Sequence, residues 1–234
     1  VELVLASQSP RRSELLRQLG LHFTRLSPQI DEAAFFADKK KPPRATVMQL
    51  ALAKAGDAAN RYAMQNMPTV GSPDDQGEAE QDVAPEALVI AADTIVVLGD
   101  EIMQKPESPD HARHMLEKLS GAEHTVLTGI CIQRLPQNDS WVHAAKTTVR
   151  FRELSGDVIE RYVASGSPLD KAGAYGIQDH SPEFPLIQSI DGSYWNVVGL
   201  PLDVVVEGLQ HFEYEGSQEL KVPDTPTLEP RWDT

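Results

Sequence analysis

Cysteine is almost missing from this chain: Cys131 is the only one in 234 residues, which excludes an intrachain disulfide framework and any zinc site built from several thiolates. Positive charge is scarce as well, with 21 Lys and Arg against 35 Asp and Glu and a net charge of −14. That balance argues against a general binder of nucleic acid polymers, which needs a basic face. No apolar run approaches the ~20 residues that span a bilayer, and no basic segment with an apolar signal core precedes the first strand. The expectation is a cytoplasmic protein without membrane partners, in a reducing setting. Internal repeats, a dinucleotide fingerprint and a Walker A loop are also absent. If anions bind, they bind in a local positive pocket of a negative molecule.

Apolar, β-branched runs at 2–6, 87–98, 125–133, 141–151 and 196–206 read as strands, the last turning helical after Pro201. Helical patterns occupy 10–19, 45–64, 109–119, 155–165 and 202–212. Their alternation predicts an α/β domain, and the hairpin expected around 136–140 makes the sheet mixed. The stretch 67–86 holds prolines, glycines and six acidic residues, and reads as a solvated acidic loop. The tail 213–234, with Pro223, Pro226 and Pro230, is expected to lie outside the core.

The opening run Leu3-Val4-Leu5-Ala6-Ser7-Gln8-Ser9-Pro10-Arg11-Arg12 passes from a strand directly into a helix start. Ser9 is placed to cap a helix whose first residue is Pro10 and whose stop is Gly20. Arg11 and Arg12 are the wrong sign for the positive end of a helix. Unless the fold supplies carboxylates for them, they imply an external anion, and a guanidinium fork matches phosphate oxygens.

Asp93 interrupts an otherwise apolar strand and must meet a metal, a cation or an organised water, because an unpaired buried carboxylate is costly. Thr94 beside it offers a hydroxyl to a ligand or merely fills a β-position. Lys105, held extended by Pro106, follows a short strand after the Gly99-Asp100 turn. Taken alone, Lys105 reads as surface, Lys54 among alanines reads as a solvated helical lysine, and Glu32 is one acid among many. The glycines of 170–178 allow close backbone approach, and Gln178 carries a donor and an acceptor able to read a base edge. His111 and His114 read as an exposed helix start, and Cys131 as a buried small hydrophobe.

Leu5-Ala6-Ser7-Gln8-Ser9-Pro10-Arg11-Arg12, Ala92-Asp93-Thr94-Ile95-Val96, Lys105-Pro106, Leu119-Ser120-Gly121, Asp170-Lys171-Ala172-Gly173-Ala174-Tyr175-Gly176-Ile177-Gln178 and Asn196-Val197-Val198-Gly199-Leu200-Pro201 occur in that order. Together, over 1–212, they resemble the Maf family of nucleoside triphosphate pyrophosphatases, also called septum-formation inhibitors. The resemblance implies a single cytoplasmic domain whose mixed twisted sheet, flanked by helices around a central cleft, is similar to inosine triphosphate pyrophosphatases. It implies cleavage of a nucleoside triphosphate to the monophosphate and pyrophosphate, a Mg2+ or Mn2+ cofactor, and a homodimer. It puts catalysis on Asp93, specificity on Arg11, Thr94 and Gln178, further substrate contacts on Ser9, Arg12, Glu32, Lys54 and Lys105, and the metal on Glu32 and Asp93. The Asp-Thr pair resembles the branch acting on dTTP and UTP. Ala91 for a usual glycine, Ala122 for a common arginine and the length of 67–86 depart from the family pattern. A nucleotide-binding regulator of cell division without turnover, and a phosphatase acting on monoesters, are the rival readings.

Overall fold

The long helix of this molecule begins where two prolines end a loop, with Pro43 at its first position, and runs as α2 (Pro43–Asn66) through an alanine-rich stretch of high helix propensity. It packs on a mixed sheet of seven strands. A computed structural model describes residues 1–67 and 85–228, so most of the acidic stretch 67–86 and the last residues of the tail lie outside the described residues. In chain order the strands are β1 (Glu2–Ala6), β2 (Thr24–Arg25), β3 (Ala87–Leu98), β4 (Glu101–Met103), β5 (Glu123–Leu135), β6 (Asp139–Phe151) and β7 (Ile187–Asp191). Across the sheet they lie in the order β2-β1-β3-β5-β6-β7, with β4 on the far half of β3. β1 runs parallel to β2 and β3, and every other pairing is antiparallel.

β3 is therefore central, and it reads as an apolar run broken only at Asp93 and Thr94 because both of its faces are covered. Its side chains alternate between two cores. Leu88, Ile90, Ala92 and Val96 join the larger core, with α1 (Pro10–Gln18), α3 (Pro109–Leu119), α4 (Gly156–Ala164), α5 (Tyr194–Val198) and α6 (Leu202–His211). Val89, Ala91, Ile95 and Val97 face the other way, toward the residues of α2. The same alternation sends Asp93 to the α2 face and Thr94 to the α1 and α5 face.

The expected elements at 2–6, 87–98 and 109–119 have these bounds, and the hairpin is present with longer arms, 123–135 and 139–151. One expectation needs correction and one needs refinement. The run 196–206 is not a strand: Ser193 caps the short helix α5, Gly199 ends it at φ 121°, and α6 starts after Pro201. The edge strand of that region is β7, whose residues Gln188 and Ser189 are exposed, so no apolar run announces it. The tail, expected outside the core, is exposed over most of 213–228, yet it is fastened to the core's surface. Trp195 Nε1 donates to Pro223 O at 3.2 Å, His180 Nε2 donates to Leu228 O at 3.0 Å, and Leu220 and Leu228 pack on the larger core.

Candidate functional site

A cleft of about 760 Å³ opens at the end of β1 where the chain turns into α1, and its walls include Arg11, Arg12, Asp93, Lys105, Asp170 and Gln178. Five of the six sequence motifs, distant along the chain, thus meet in one place, and Leu119-Ser120-Gly121 is the one that does not line it. Ser9 caps α1 as expected, its hydroxyl accepting from the backbone N–H of Arg12 at 3.4 Å. Pro10 holds the first helical position, so the helix presents its open end and both arginines to the cleft.

The two arginines differ in their partners. Arg11 does find a carboxylate: Nη1 donates to Asp170 Oδ2 at 2.9 Å, across 159 residues of chain. Arg12 has no carboxylate at ion-pair distance among the described residues. It donates through Nε to the carbonyl of Gly199 at 2.9 Å, through Nη2 to Thr94 Oγ1 at 3.1 Å and through Nη1 to Ser7 Oγ at 3.5 Å. Burial holds its pKa below the usual arginine value, with Asp93 and Glu32 opposing the shift through space. The guanidinium remains a cation regardless. It is a half-buried positive charge supported by neutral oxygens only.

On the opposite face of β3, Lys54 is not the solvated helical lysine its neighbours imply. Its side chain is 6% exposed, and Nζ lies 2.7 Å from Asp93 Oδ1 and 2.9 Å from Glu32 Oε1. Asp93 thereby finds the cation its burial requires. The close approach of α2 depends on Gly129, the residue paired with Asp93 across β5. A Cβ there would fall on the backbone of Val47 and within 2.8 Å of Met48 N, both in α2. Lys54 lies seven residues beyond Val47, two turns along the same helix face.

Asp93 and Glu32 form an acidic pair open on one side, since the Glu32 side chain is 52% exposed. No group of three or more His, Cys, Asp or Glu is gathered to hold a metal among the described residues. An all-protein cage is therefore not what the pair offers. Two carboxylates beside an anion-binding wall do fit a hard divalent cation that takes one or two protein oxygens and the rest from phosphate and water. His111 and His114 lie on the first turns of α3, where their Nδ1 atoms meet Glu107 N and Asp110 O. Cys131 is fully buried, which pushes its thiol up to about 12.

The far wall is the segment 167–179, built from three short 3-10 turns and fastened to itself. Lys171 Nζ donates to Ser167 Oγ at 3.0 Å and Asp170 Oδ1 at 2.9 Å, while Tyr162 Oη donates to Asp179 Oδ2 at 2.7 Å. Gln178 is exposed at the cleft edge and makes no hydrogen bond to the protein among the described residues. Lys105 is exposed and likewise unpaired among them. Sequence reasoning did not single out Asp170, Gly129, Thr128 or the Gly199 carbonyl. Asp170 and Gly199 lay inside motifs that were noticed, whereas Gly129 has no signal apart from its place opposite Asp93.

Comparison with known proteins agrees with this geometry. The family profile described as "Maf-like protein" matches residues 2–212. A protein of Moorella thermoacetica named dTTP/UTP pyrophosphatase is 46% identical over 211 residues, spanning 90% of this chain and 95% of its own length. A protein of Symbiobacterium thermophilum with the same name is 43% identical, spanning 91% of this chain and 95% of its own. No helix among the described residues is long and apolar enough to cross a membrane. A profile that runs from the first strand to the end of α6, with relatives alike over nearly their whole length, makes this chain a member of the Maf-like protein family.

Proposed function

We propose that this protein hydrolyses dTTP and UTP to the nucleoside monophosphate and pyrophosphate. The carrying observation is the buried Lys54–Asp93 pair at the floor of a cleft that also presents Arg11, Arg12 and Lys105. The printed names of the relatives support the same chemistry and the same pair of substrates. A triphosphate brings about four negative charges, which a site of this kind can meet even in a molecule of net charge −14.

In this reading Asp93 takes a proton from a water that attacks the α-phosphorus, and the bond between the α-phosphorus and the bridging oxygen breaks. Water supplies the new oxygen of the monophosphate, and pyrophosphate carries away the electron pair of the broken bond. Arg12 and Lys105 stabilise the charge that develops on the departing group. Lys54 balances the Asp93 carboxylate and fixes its direction. Gln178, with its amide uncommitted, reads the pyrimidine edge, and a site built for those bonds rejects bases that leave them unmade. Mg2+ or Mn2+ would be held by Glu32 and Asp93 and would neutralise phosphate oxygens. The cytoplasmic setting and the homodimer implied by the family resemblance belong to the same reading.

The test is an assay of products from dTTP and UTP with magnesium present. Pyrophosphate and monophosphate in equal amounts are expected. Orthophosphate as the sole inorganic product would identify a different phosphohydrolase. A nucleotide that raises the melting temperature without being consumed would identify a binding regulator.

A further inference from the structure

We infer that Asp170 is a positioning residue for base selection: it ties the Arg11 guanidinium to the cleft wall that carries Gln178 and cancels its charge, so that Arg11 serves the base end of the substrate and Arg12 the phosphate end. The inference rests on the nucleotide site proposed above.

Arg11 is the second residue of α1, where the positive end of the helix repels a cation. Asp170 answers that repulsion. Arg11 Nη1 donates to its Oδ2 at 2.9 Å and Nη2 to its carbonyl at 3.5 Å. The carboxylate is itself held from behind, because its Oδ1 accepts from Lys171 Nζ at 2.9 Å. The Lys171 side chain is only 13% exposed, and its ammonium also donates to Ser167 Oγ at 3.0 Å. Burial acts to raise the Asp170 carboxyl, yet the hydrogen bonds from Lys171 and Arg11 outweigh it and hold the group below the ordinary carboxylate range. An ionised, anchored carboxylate therefore fixes the direction of Arg11.

That anchor decides what Arg11 can grip. A guanidinium has five N–H donors. Two of those on Arg11 face Asp170, and the other three have no partner among the described residues. A fork with free donors and a cancelled charge suits a neutral carbonyl such as a base presents, whereas phosphate is gripped best by a fork that keeps its charge. Arg12, whose acceptors are the neutral oxygens of Gly199 and Thr94, is of the second kind. The wall that carries both Asp170 and Gln178 is fastened between them to the sheet. Gly173, at φ 70°, donates its N–H to Gln104 O at 3.1 Å and lies so close to Val96 of β3 that a Cβ would come within 2.9 Å of that side chain. Arg11 and Gln178 are thus referred to one fixed segment.

The experiment compares wild type, Asp170→Ala, Asp170→Glu, Arg11→Ala and the double variant of Arg11→Ala with Asp170→Ala. Steady-state kinetics are measured on dTTP, UTP and GTP, and pyrophosphate binding is measured by calorimetry. Asp170→Ala is expected to lower the dTTP-to-GTP ratio of kcat/KM about fivefold or more, the worth of one well-placed hydrogen bond, without weakening pyrophosphate binding. In the Arg11→Ala background the same change is expected to lower the ratio no further, since Asp170 acts through Arg11. Asp170→Glu restores the carboxylate and is expected to recover most of the ratio. An unchanged ratio in Asp170→Ala would overturn the inference, as would a full further loss in the Arg11→Ala background. So would a weakening of pyrophosphate binding that matches the loss in kcat/KM for every base. The Asp170 side chain is 62% exposed and an exposed ion pair contributes little to stability, so these variants are expected to fold. If Asp170→Ala does not, Asp170→Asn gives the same readouts. A wild type that binds dTTP but consumes no triphosphate defeats the hydrolase reading alone, since calorimetric affinities for the three nucleotides supply the same ratio. A wild type that treats all three alike in both measurements overturns the inference.

Discussion

At the scale of single residues, the site depends on how two cations are partnered. Lys54 is nearly closed off from solvent and shared by two carboxylates, so it neutralises and holds them. Arg12 is held by neutral oxygens and keeps its charge for a ligand. This division sets the expectation for Asp93→Asn. The amide has the shape of the carboxylate, Glu32 still faces the Lys54 ammonium, and the anion-binding wall is untouched. Turnover should fall by roughly two to four powers of ten, the usual contribution of a positioned general base, while dTTP binding persists. Pyrophosphate release and calorimetry on the same preparation check both halves. Activity retained in that variant would remove Asp93 as the base. Asp93 was legible in the sequence because a charge inside an apolar strand demands a partner. Lys54 was not, because the burial of a helical lysine is decided by what the helix packs against.

At the scale of elements, what Lys54 meets is decided by Gly129. The strand β5 offers α2 a position without a side chain, and the helix backbone at Val47 fills that space. In Gly129→Ala, α2 must move away from the sheet, carrying Lys54 from Asp93. Overpacking of this kind costs about 1–3 kcal/mol, and kcat should fall with it because the floor of the cleft is pulled apart. Gly56→Ala on the same helix is the control, since its Cβ would meet only Gln133 Oε1, at an ordinary van der Waals distance of 3.9 Å, and should be neutral or stabilising by about 0.4–1 kcal/mol. Thermal melts and initial rates on the pair distinguish packing from propensity. Elements were legible where local pattern and tertiary role agree: the apolar run of β3, the capped start of α1, the amphipathic α3. The failures have the same origin. The run 196–206 is apolar because α5 and α6 are buried in the larger core, and burial alone does not distinguish strand from helix. β7 and the docked tail show no such run, because each is only partly covered.

At the scale of the whole molecule, the sheet divides the interior into two cores, and the segment 167–179 must be held against the larger one to complete the cleft wall. Part of that hold is His124 on β5, which is 2% exposed and has Nε2 2.7 Å from Tyr175 Oη. Phe151 and Tyr175 pack edge-on against its ring, and Nδ1 has no hydrogen-bond partner among the described residues. Burial pushes the imidazole down to about 4, so the folded protein keeps it neutral where an unfolded chain would protonate it near 6.5. Above about pH 6.5 the two states bind the same number of protons at this residue. As pH falls from there toward 4, only the unfolded chain takes up the proton, and the folded state loses about 3 kcal/mol relative to it. In His124→Phe this loss has no source, while the titration of surface carboxylates is common to both proteins and cancels in the comparison. The melting temperature of wild type should therefore drop more steeply than that of His124→Phe between pH 7 and 4.5. Parallel slopes across that interval would mean that His124 is already charged in the fold, or that its site opens to water before the rest of the molecule melts.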